Sequence, residues 1–317
     1  MQRKVIIDCD PGQDDALMLF LAFAAPKELD ILGVCAVAGN VPLAKTQRNI
    51  CILSDIVGNE NVPMFAGCDK PLTNVGLTAE HVHGREGIDG IDIFSPKTKL
   101  QPKGAVDFIV DTLLSAADDE ITLVVTGPFT NVASAILREP AILPKIRELV
   151  LMGGAMREGG NITPSAEFNI YVDPHAAKIV FECGRPIAAF GLDVTHQVFT
   201  SPSVLERVAM LDNRVAKASH GMLSFFGRYD AQKYRAQGAP LHDPCTIAYL
   251  LQPELFELKS CNIRVEIDSE LTMGHTAVDF WGVTGLPANA EWAHSVQAHS
   301  VHRDGFFDLL IERLSRY

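Results

Sequence analysis

The sequence has no CxxC pair, no basic face and no apolar stretch long enough to span a membrane. Its seven cysteines (Cys9, Cys35, Cys51, Cys68, Cys183, Cys245 and Cys261) are scattered and odd in number. That excludes a disulfide framework, and their mostly apolar settings (VCAVAG, NICIL, IVFEC) predict buried thiols in a reducing compartment. Acidic residues outnumber basic ones 39 to 27, for a net charge of −12, which argues against a nucleic-acid partner. The apolar run ALMLFLAFAA (16–25) is bounded by Asp15 and Pro26 and is too short to be a membrane anchor. No signal-peptide pattern precedes the first strand-like run, so a cytoplasmic protein is expected. Repeats, low-complexity tracts and Pro/Gly/Ser linkers are also missing, which predicts one domain over 1–317.

What is present is a regular alternation. Apolar strand-like runs are expected at 4–7, 31–38, 62–66, 121–126, 148–154 and 186–194. Helical patterns fall between them at 14–25, 43–57, 104–117, from 131, and at 174–183, with a polar loop across 69–100. Further helices are expected near 202–211, 213–227, from Asp243 and at 303–315, with strands at 262–267, 275–281 and 291–298. Strands that are apolar throughout, each followed by a helix, predict an α/β fold with a mostly parallel, Rossmann-like sheet covered on both faces. Ligands of such sheets sit beyond the carboxyl ends of the strands. The residues there are Asp8 to Asp15, Gly39-Asn40, Thr126-Gly127, Met152 to Gly154, and Asp193.

The stretch DCDPGQDDA (8–16) puts four aspartates into eight positions. One of them capping the following helix is ordinary. Four exceed what one helix end compensates, and converging carboxylate oxygens suit a hard cation such as Ca²⁺ or Mg²⁺. Asp8 and Asp10, two apart at a strand end, are expected to point the same way.

DCDPGQDDA resembles the N-terminal signature of the inosine-uridine-preferring nucleoside hydrolases, Asp-x-Asp-Pro-Gly-x-Asp-Asp. AVAGNV (36–41), HVHGREGIDG (81–90), VVTGPFTNVA (124–133), LVLMGGA (149–155), EFNIYVDPHAA (167–177), GLDVT (191–195) and PLHDPCTIAYLL (240–251) resemble further family blocks in family order. The resemblance implies one α/β domain, a homo-oligomer (dimer or tetramer), bound Ca²⁺, and hydrolysis of ribonucleosides to ribose and free base. It implies Asp10, Asp15, the Thr126 carbonyl and Asp243 as metal ligands. Asp14, Asn161, Glu167, Asn169 and Asp243 would hold the ribose, with Asn40, Met152 and Phe168 lining the same pocket.

The chemistry needs these residue types. A divalent ion lowers the pKa of water, and a ligating carboxylate, here Asp10, can take the proton. Asp8 is expected to orient the metal-binding residues. Oxygens of Glu167, Asn161 and Asn169 suit a ring that turns cationic, and the EFN spacing places 167 and 169 on one side if that segment is extended. His242, next to Asp243, is the candidate that helps the base depart. His83 is expected in the base pocket by resemblance, and Tyr234, with Tyr229, lies in a polar stretch that reads as a lid. His294, His299 and His302 fit no zinc spacing and read as surface or interface residues. A phosphatase using DCD is disfavoured by Pro-Gly and by the lack of a downstream lysine motif. A non-catalytic nucleoside-binding module is disfavoured because every expected site position is filled by the expected residue type.

Overall fold

The computed structural model describes residues 2–73, 76–234, 238–296 and 305–317, with the backbone alone at 229–234. Val5, Ile6 and Ile7 are apolar on both faces, and they form the centre of the first strand, β1 (Arg3–Cys9). Val5, Ile7 and Cys9 face one core layer and Ile6 the other, as strand alternation requires.

In chain order β1 is followed by α1 (Gln13–Phe23), β2 (Leu29–Ala36), α2 (Leu43–Val57), β3 (Met64–Ala66), α3 (Glu80–His83), α4 (Ala105–Leu114), β4 (Ile121–Val125) and α5 (Thr130–Arg138). Then come β5 (Ile146–Met152), α6 (Phe168–Val172), α7 (Pro174–Phe181), β6 (Ile187–Phe190), α8 (Leu192–Thr195), α9 (Pro202–Ala209) and α10 (Arg214–Tyr234). The chain closes with α11 (Pro244–Leu251), β7 (Phe256–Val265), β8 (Thr276–Asp279), β9 (Ala290–Val296) and α12 (Gly305–Leu314). All strands belong to one nine-stranded sheet in the order β3-β2-β1-β4-β5-β6-β9-β7-β8. Pairings from β3 through β9 are parallel, and only β7 runs antiparallel to its neighbours β9 and β8. The fold class read from the sequence is the one observed.

Residues of α1, α2, α10, α11 and α12 cover one face of the sheet, and those of α4, α5 and α7 the other. No described helix is long and apolar enough to cross a membrane. Five of the seven cysteines are buried, Cys68 and Cys183 are half-buried, and all seven are free thiols.

Three local expectations are corrected. The segment 186–194 is not one strand, because β6 ends at Phe190 and Leu192–Thr195 turns into α8. A side chain at Gly191 would run into the Trp292 ring, so the backbone closes on β9 there and leaves the strand direction. Residues 167–169 are not extended: Glu167 is the N-cap of α6 and its carboxylate accepts the Asn169 and Ile170 N–H groups. The loop across 69–100 holds a helical turn, α3, whose last residue is His83.

Candidate active site

Sheet order reverses beside β1, with β2 on one side and β4 on the other. This is where a doubly wound sheet leaves a crevice beyond its strand ends, and the acidic stretch occupies it. Asp14 and Asp15 lie in the first turn of α1, and Asp15 Oδ2 accepts the Gly12 N–H at 3.0 Å. Asp15 Oδ1 accepts the Thr126 hydroxyl at 2.7 Å, joining the start of α1 to the end of β4.

Asp10 lies past the last residue of β1. Its Oδ2 accepts the Asn40 N–H at 2.6 Å, and Asn40 Nδ2 returns to the Asp10 carbonyl at 3.1 Å. A Cβ at Gly39 would overlap Asp10 Oδ2, and one at Gly127 would sit 2.8 Å from Asp10 Oδ1. Two glycines therefore let backbone press on this carboxylate from both sides. With Asp10 as the expected base, Gly39→Ala should lower kcat by roughly 100-fold or more, because misplacing a catalytic group by about 1 Å costs that much. Steady-state turnover near wild type in that variant would show that the carboxylate has room to spare.

Asp8 does not join Asp10. Its Oδ2 accepts Asn131 Nδ2 at 2.7 Å, and Asn131 also donates to the Ala36 carbonyl at 3.2 Å. Asp8 thus ties β1 to α5 and β2, and burial pushes its pKa up to about 7.

Among the described residues, no lysine, arginine or histidine forms an ion pair with these carboxylates. Asp14, Asp15 and Asp243 bring ligand-type oxygens within 4.8 Å of one another, the only such metal-capable cluster among the described residues. Asp10 stands next to this trio, and the buried Oδ1 atoms of Asp10 and Asp14 have no hydrogen-bond partner. Two full charges about 5 Å apart repel by roughly 3–4 kcal/mol at an effective dielectric near 20. Burial first, and the neighbouring aspartates next, push Asp15 up to about 7 and Asp10 and Asp243 well above the usual carboxylate range. Orphaned buried carboxylate oxygens of this kind fit a hard, oxygen-liganded cation.

Above the cluster opens a cavity of about 460 Å³, a size suited to a small ligand. Of the expected ligands, Thr126 and Asp243 border it, while Asp10 and Asp15 lie beneath with no exposure. Asp14, Asn40 and Met152 border it, together with Asn161, Glu167, Phe168 and Asn169. Asn161 Oδ1 accepts the Phe168 N–H at 2.9 Å, which leaves its amide N–H groups for a ligand. Glu167 Oε2 accepts the Gly154 N–H and Oε1 the Asn169 N–H, both at 2.9 Å, while burial raises its pKa to about 7. Capping and pocket lining are thus both true of Glu167. Asn169 Nδ2 donates to the Thr126 carbonyl at 2.7 Å and the Met152 carbonyl at 3.2 Å. The Thr126 oxygen keeps its second lone pair, and Asn169 keeps Oδ1 for the cavity.

His242 and His83 also border the cavity. Burial lowers His242 to about 4, so at neutral pH the ring is uncharged and offers one N–H. Its Nδ1 lies 2.7 Å from the Thr195 hydroxyl. His83 Nδ1 meets Gln13 Oε1 at 2.9 Å, and its ring stacks on Phe226 at 5.4 Å.

The side chains of Tyr229 and Tyr234 fall outside the description, although their backbone continues α10 as helix rather than loop. His294 packs edge-on to Phe280 at 5.3 Å, away from the acidic cluster, while His299 and His302 lie outside the described residues.

Gln13, Asn131, Thr195 and Phe226 take part without having been singled out. Gln13 fills the variable place of the signature, and Asn131 and Thr195 lie inside blocks already quoted. A buried polar side chain in such a block was their available signal. Phe226 had none, because a phenylalanine on an amphipathic helix reads as core.

The family model described as inosine-uridine preferring nucleoside hydrolase matches residues 5–307. A pyrimidine-specific ribonucleoside hydrolase RihA of Shewanella sp. (strain MR-7) is 43% identical over 318 residues, covering 100% of this chain and 98% of that one. An uncharacterized protein of Schizosaccharomyces pombe is 45% identical over 313 residues, with 99% of each chain covered. Among solved structures, a plant nucleoside hydrolase superimposes with a TM-score of 0.91 at 31% identity over 100% of both chains. A purine-preferring ribonucleoside hydrolase from Gardnerella vaginalis gives 0.90 at 28% identity over 99% of this chain and 98% of that one. An acidic crevice at the switch point, a ligand-sized cavity above it and whole-length similarity agree: this chain belongs to the inosine-uridine preferring nucleoside hydrolase family and is an N-glycosyl hydrolase.

Proposed function

We propose that this enzyme cleaves the C1′–N bond of pyrimidine ribonucleosides, releasing ribose and free base, with Ca²⁺ in the acidic crevice. The observation that carries the reading is the pair of buried, unpartnered carboxylate oxygens on Asp10 and Asp14 at the floor of a ligand-sized cavity. Asp10, Asp15, Asp243 and the Thr126 carbonyl would hold the ion, and their all-oxygen character from separate loops favours calcium. Bound there, a divalent cation would lower the pKa of water and so supply the nucleophile.

The chain's own residues do the rest. Asp10, held by Asn40, accepts the proton that water loses. Asp14 accepts from a ribose hydroxyl, and Asn161, Glu167 and Asn169 set polar groups along the same wall. Contacts that tighten as the ring becomes cationic act in the transition state, where they raise kcat. His242 offers its free N–H to the departing base, whose other neighbours are His83 and Phe226. Pyrimidine preference follows the 43%-identical RihA relative rather than the more distant purine-preferring one, with the His83–Phe226 stack as a flat wall for a single ring. The whole chain works as one catalytic domain, in the cytoplasm and as a homo-oligomer.

A phosphatase reading is weaker, because no lysine or arginine borders the cavity among the described residues. A phosphate would meet carboxylates there.

The test is release of reducing sugar from uridine, cytidine, inosine and adenosine by calcium-loaded enzyme, with 2′-deoxyuridine as control. Uridine and cytidine are expected to turn over fastest, and the deoxy substrate far more slowly. Absence of release from every ribonucleoside ends the reading. His242→Ala is expected to lose roughly 100-fold or more in kcat on uridine. The loss should grow with the basicity of the leaving group, and a small, equal loss across all bases would remove His242 from this role.

A further inference from the structure

The block GLDVT has no role in the scheme above, yet contacts from Asp193, Thr195 and the following His196 make it a hub. Asp193 accepts the Met156 and Arg157 N–H groups at 2.7 Å each, fixing the loop that leads to Asn161. His196 Nδ1 pairs with Glu158 Oε2 at 3.1 Å on the same loop. Between them, Thr195 is fully buried and its Oγ1 lies 2.7 Å from His242 Nδ1. Backbone hydrogen bonds hold the two residues in register: Leu241 N–H to the Val198 carbonyl at 2.8 Å, and Thr200 N–H to the Ala239 carbonyl at 2.9 Å.

The Thr195 hydroxyl makes no other hydrogen bond among the described residues. A buried hydroxyl directs its proton to the acceptor within reach, so Oγ1–H donates to Nδ1. An imidazole whose Nδ1 accepts must carry its proton on Nε2. The opposite tautomer would turn an Nε2 lone pair toward a base that is gaining negative charge. We propose that Thr195 is a positioning residue that locks His242 in the Nε2–H tautomer, so that the ring meets the departing base as a donor. This rests on His242 acting on the base as set out above.

In the step it serves, the C1′–N bond breaks and its electron pair passes to the base. Water oxygen bonds C1′, and the proton water loses goes to the Asp10 carboxylate. Nε2–H shares its proton with the base without giving it up, so His242 starts and ends neutral. The base is finally protonated through solvent by the proton first taken up at Asp10.

The experiment compares Thr195→Val, which keeps the shape and removes the hydroxyl, with Thr195→Ser and His242→Ala. Two substrates are used: uridine, and 4-nitrophenyl β-D-ribofuranoside, whose phenolate departs without hydrogen-bonding help. Thr195→Val is expected to lower kcat on uridine roughly 10- to 100-fold with little change in KM, and to lower nitrophenyl riboside turnover less than about three-fold. Thr195→Ser should recover most of the uridine rate. Nitrogen-15 spectra of histidine-labelled enzyme should show His242 as the Nε2–H tautomer in the wild type and a mixture in Thr195→Val. Equal losses on both substrates, or a wild-type Nδ1–H tautomer, would overturn the proposal. Unimpaired uridine turnover by Thr195→Val alongside a crippled His242→Ala would overturn it too, leaving the role of His242 intact. Normal uridine turnover by His242→Ala would remove the role of His242 itself and Thr195 with it.

Discussion

Asp10→Asn is expected to cut kcat on uridine by three to five powers of ten while the protein keeps its fold. Asparagine preserves the side-chain outline, and its carbonyl oxygen still accepts the Asn40 N–H that holds Asp10 at 2.6 Å. Two functions are lost together. The amide oxygen is too weak a base to take a proton from water, which general-base catalysis puts at about 10²–10⁴-fold. One full charge also leaves the cation site, so the ion is held less tightly. If Asn donates into the position of Asp10 Oδ1, it meets Gly127 and no acceptor, since that oxygen has no partner in the parent site. The expected signature is a collapse of kcat that saturating calcium does not restore. Full rescue by excess calcium would assign Asp10 to metal affinity alone, and near-normal activity would refute its role altogether.

What could be read from the sequence followed contact distance along the chain. The crevice was legible because Asp10, Asp14 and Asp15 fall within six residues, and because apolar strands mark where their polar ends must lie. The parallel sheet was legible for the same reason: Val5 to Ile7 and Leu149 to Leu151 are apolar on both faces, which only a covered sheet explains. The strand through residue 194 was misread because what stops it is distant. Gly191 packs on Trp292, a contact of a hundred residues that no local pattern displays. The EFN segment was misread in the other direction, since Glu167 caps its own helix and the signal was the local Glu-Phe-Asn-Ile run itself. The base side of the cavity was the least legible. His83 and Phe226 come from helices whose meeting is decided by packing, and the orientation of His242 depends on Thr195, 47 residues away.

Removing calcium should destabilise the enzyme, and more so at pH 8 than at pH 5.5. Without the ion, the folded chain must keep Asp10, Asp15 and Asp243 buried beside one another. Their folded pKa values are raised, Asp15 from 3.8 to about 7 and the other two further. Between pH 4 and about 7 the metal-free native state therefore binds more protons than the unfolded chain. The slope of unfolding free energy with pH is then negative, so stability falls as pH rises through this window. For Asp15 alone the loss from pH 5.5 to pH 8 is about 2 kcal/mol, at about 1.4 kcal/mol for each tenfold change in the protonation constant. In a chain of this size that corresponds to a drop in Tm of roughly 3–5 °C. Calcium held there as proposed would reverse the sign of the problem, since it would need the same carboxylates ionised and would bind only the native state. The gap in Tm between calcium-loaded and chelated protein should therefore widen from pH 5.5 to pH 8, measured by scanning calorimetry at fixed ionic strength. Magnesium at equal concentration should close less of the gap, because ligands gathered from the β1–α1 turn, the end of β4 and the start of α11 suit the looser coordination of calcium. A gap that is absent at both pH values would mean the crevice holds its four carboxylates without an ion, and the proposed chemistry would lose its floor.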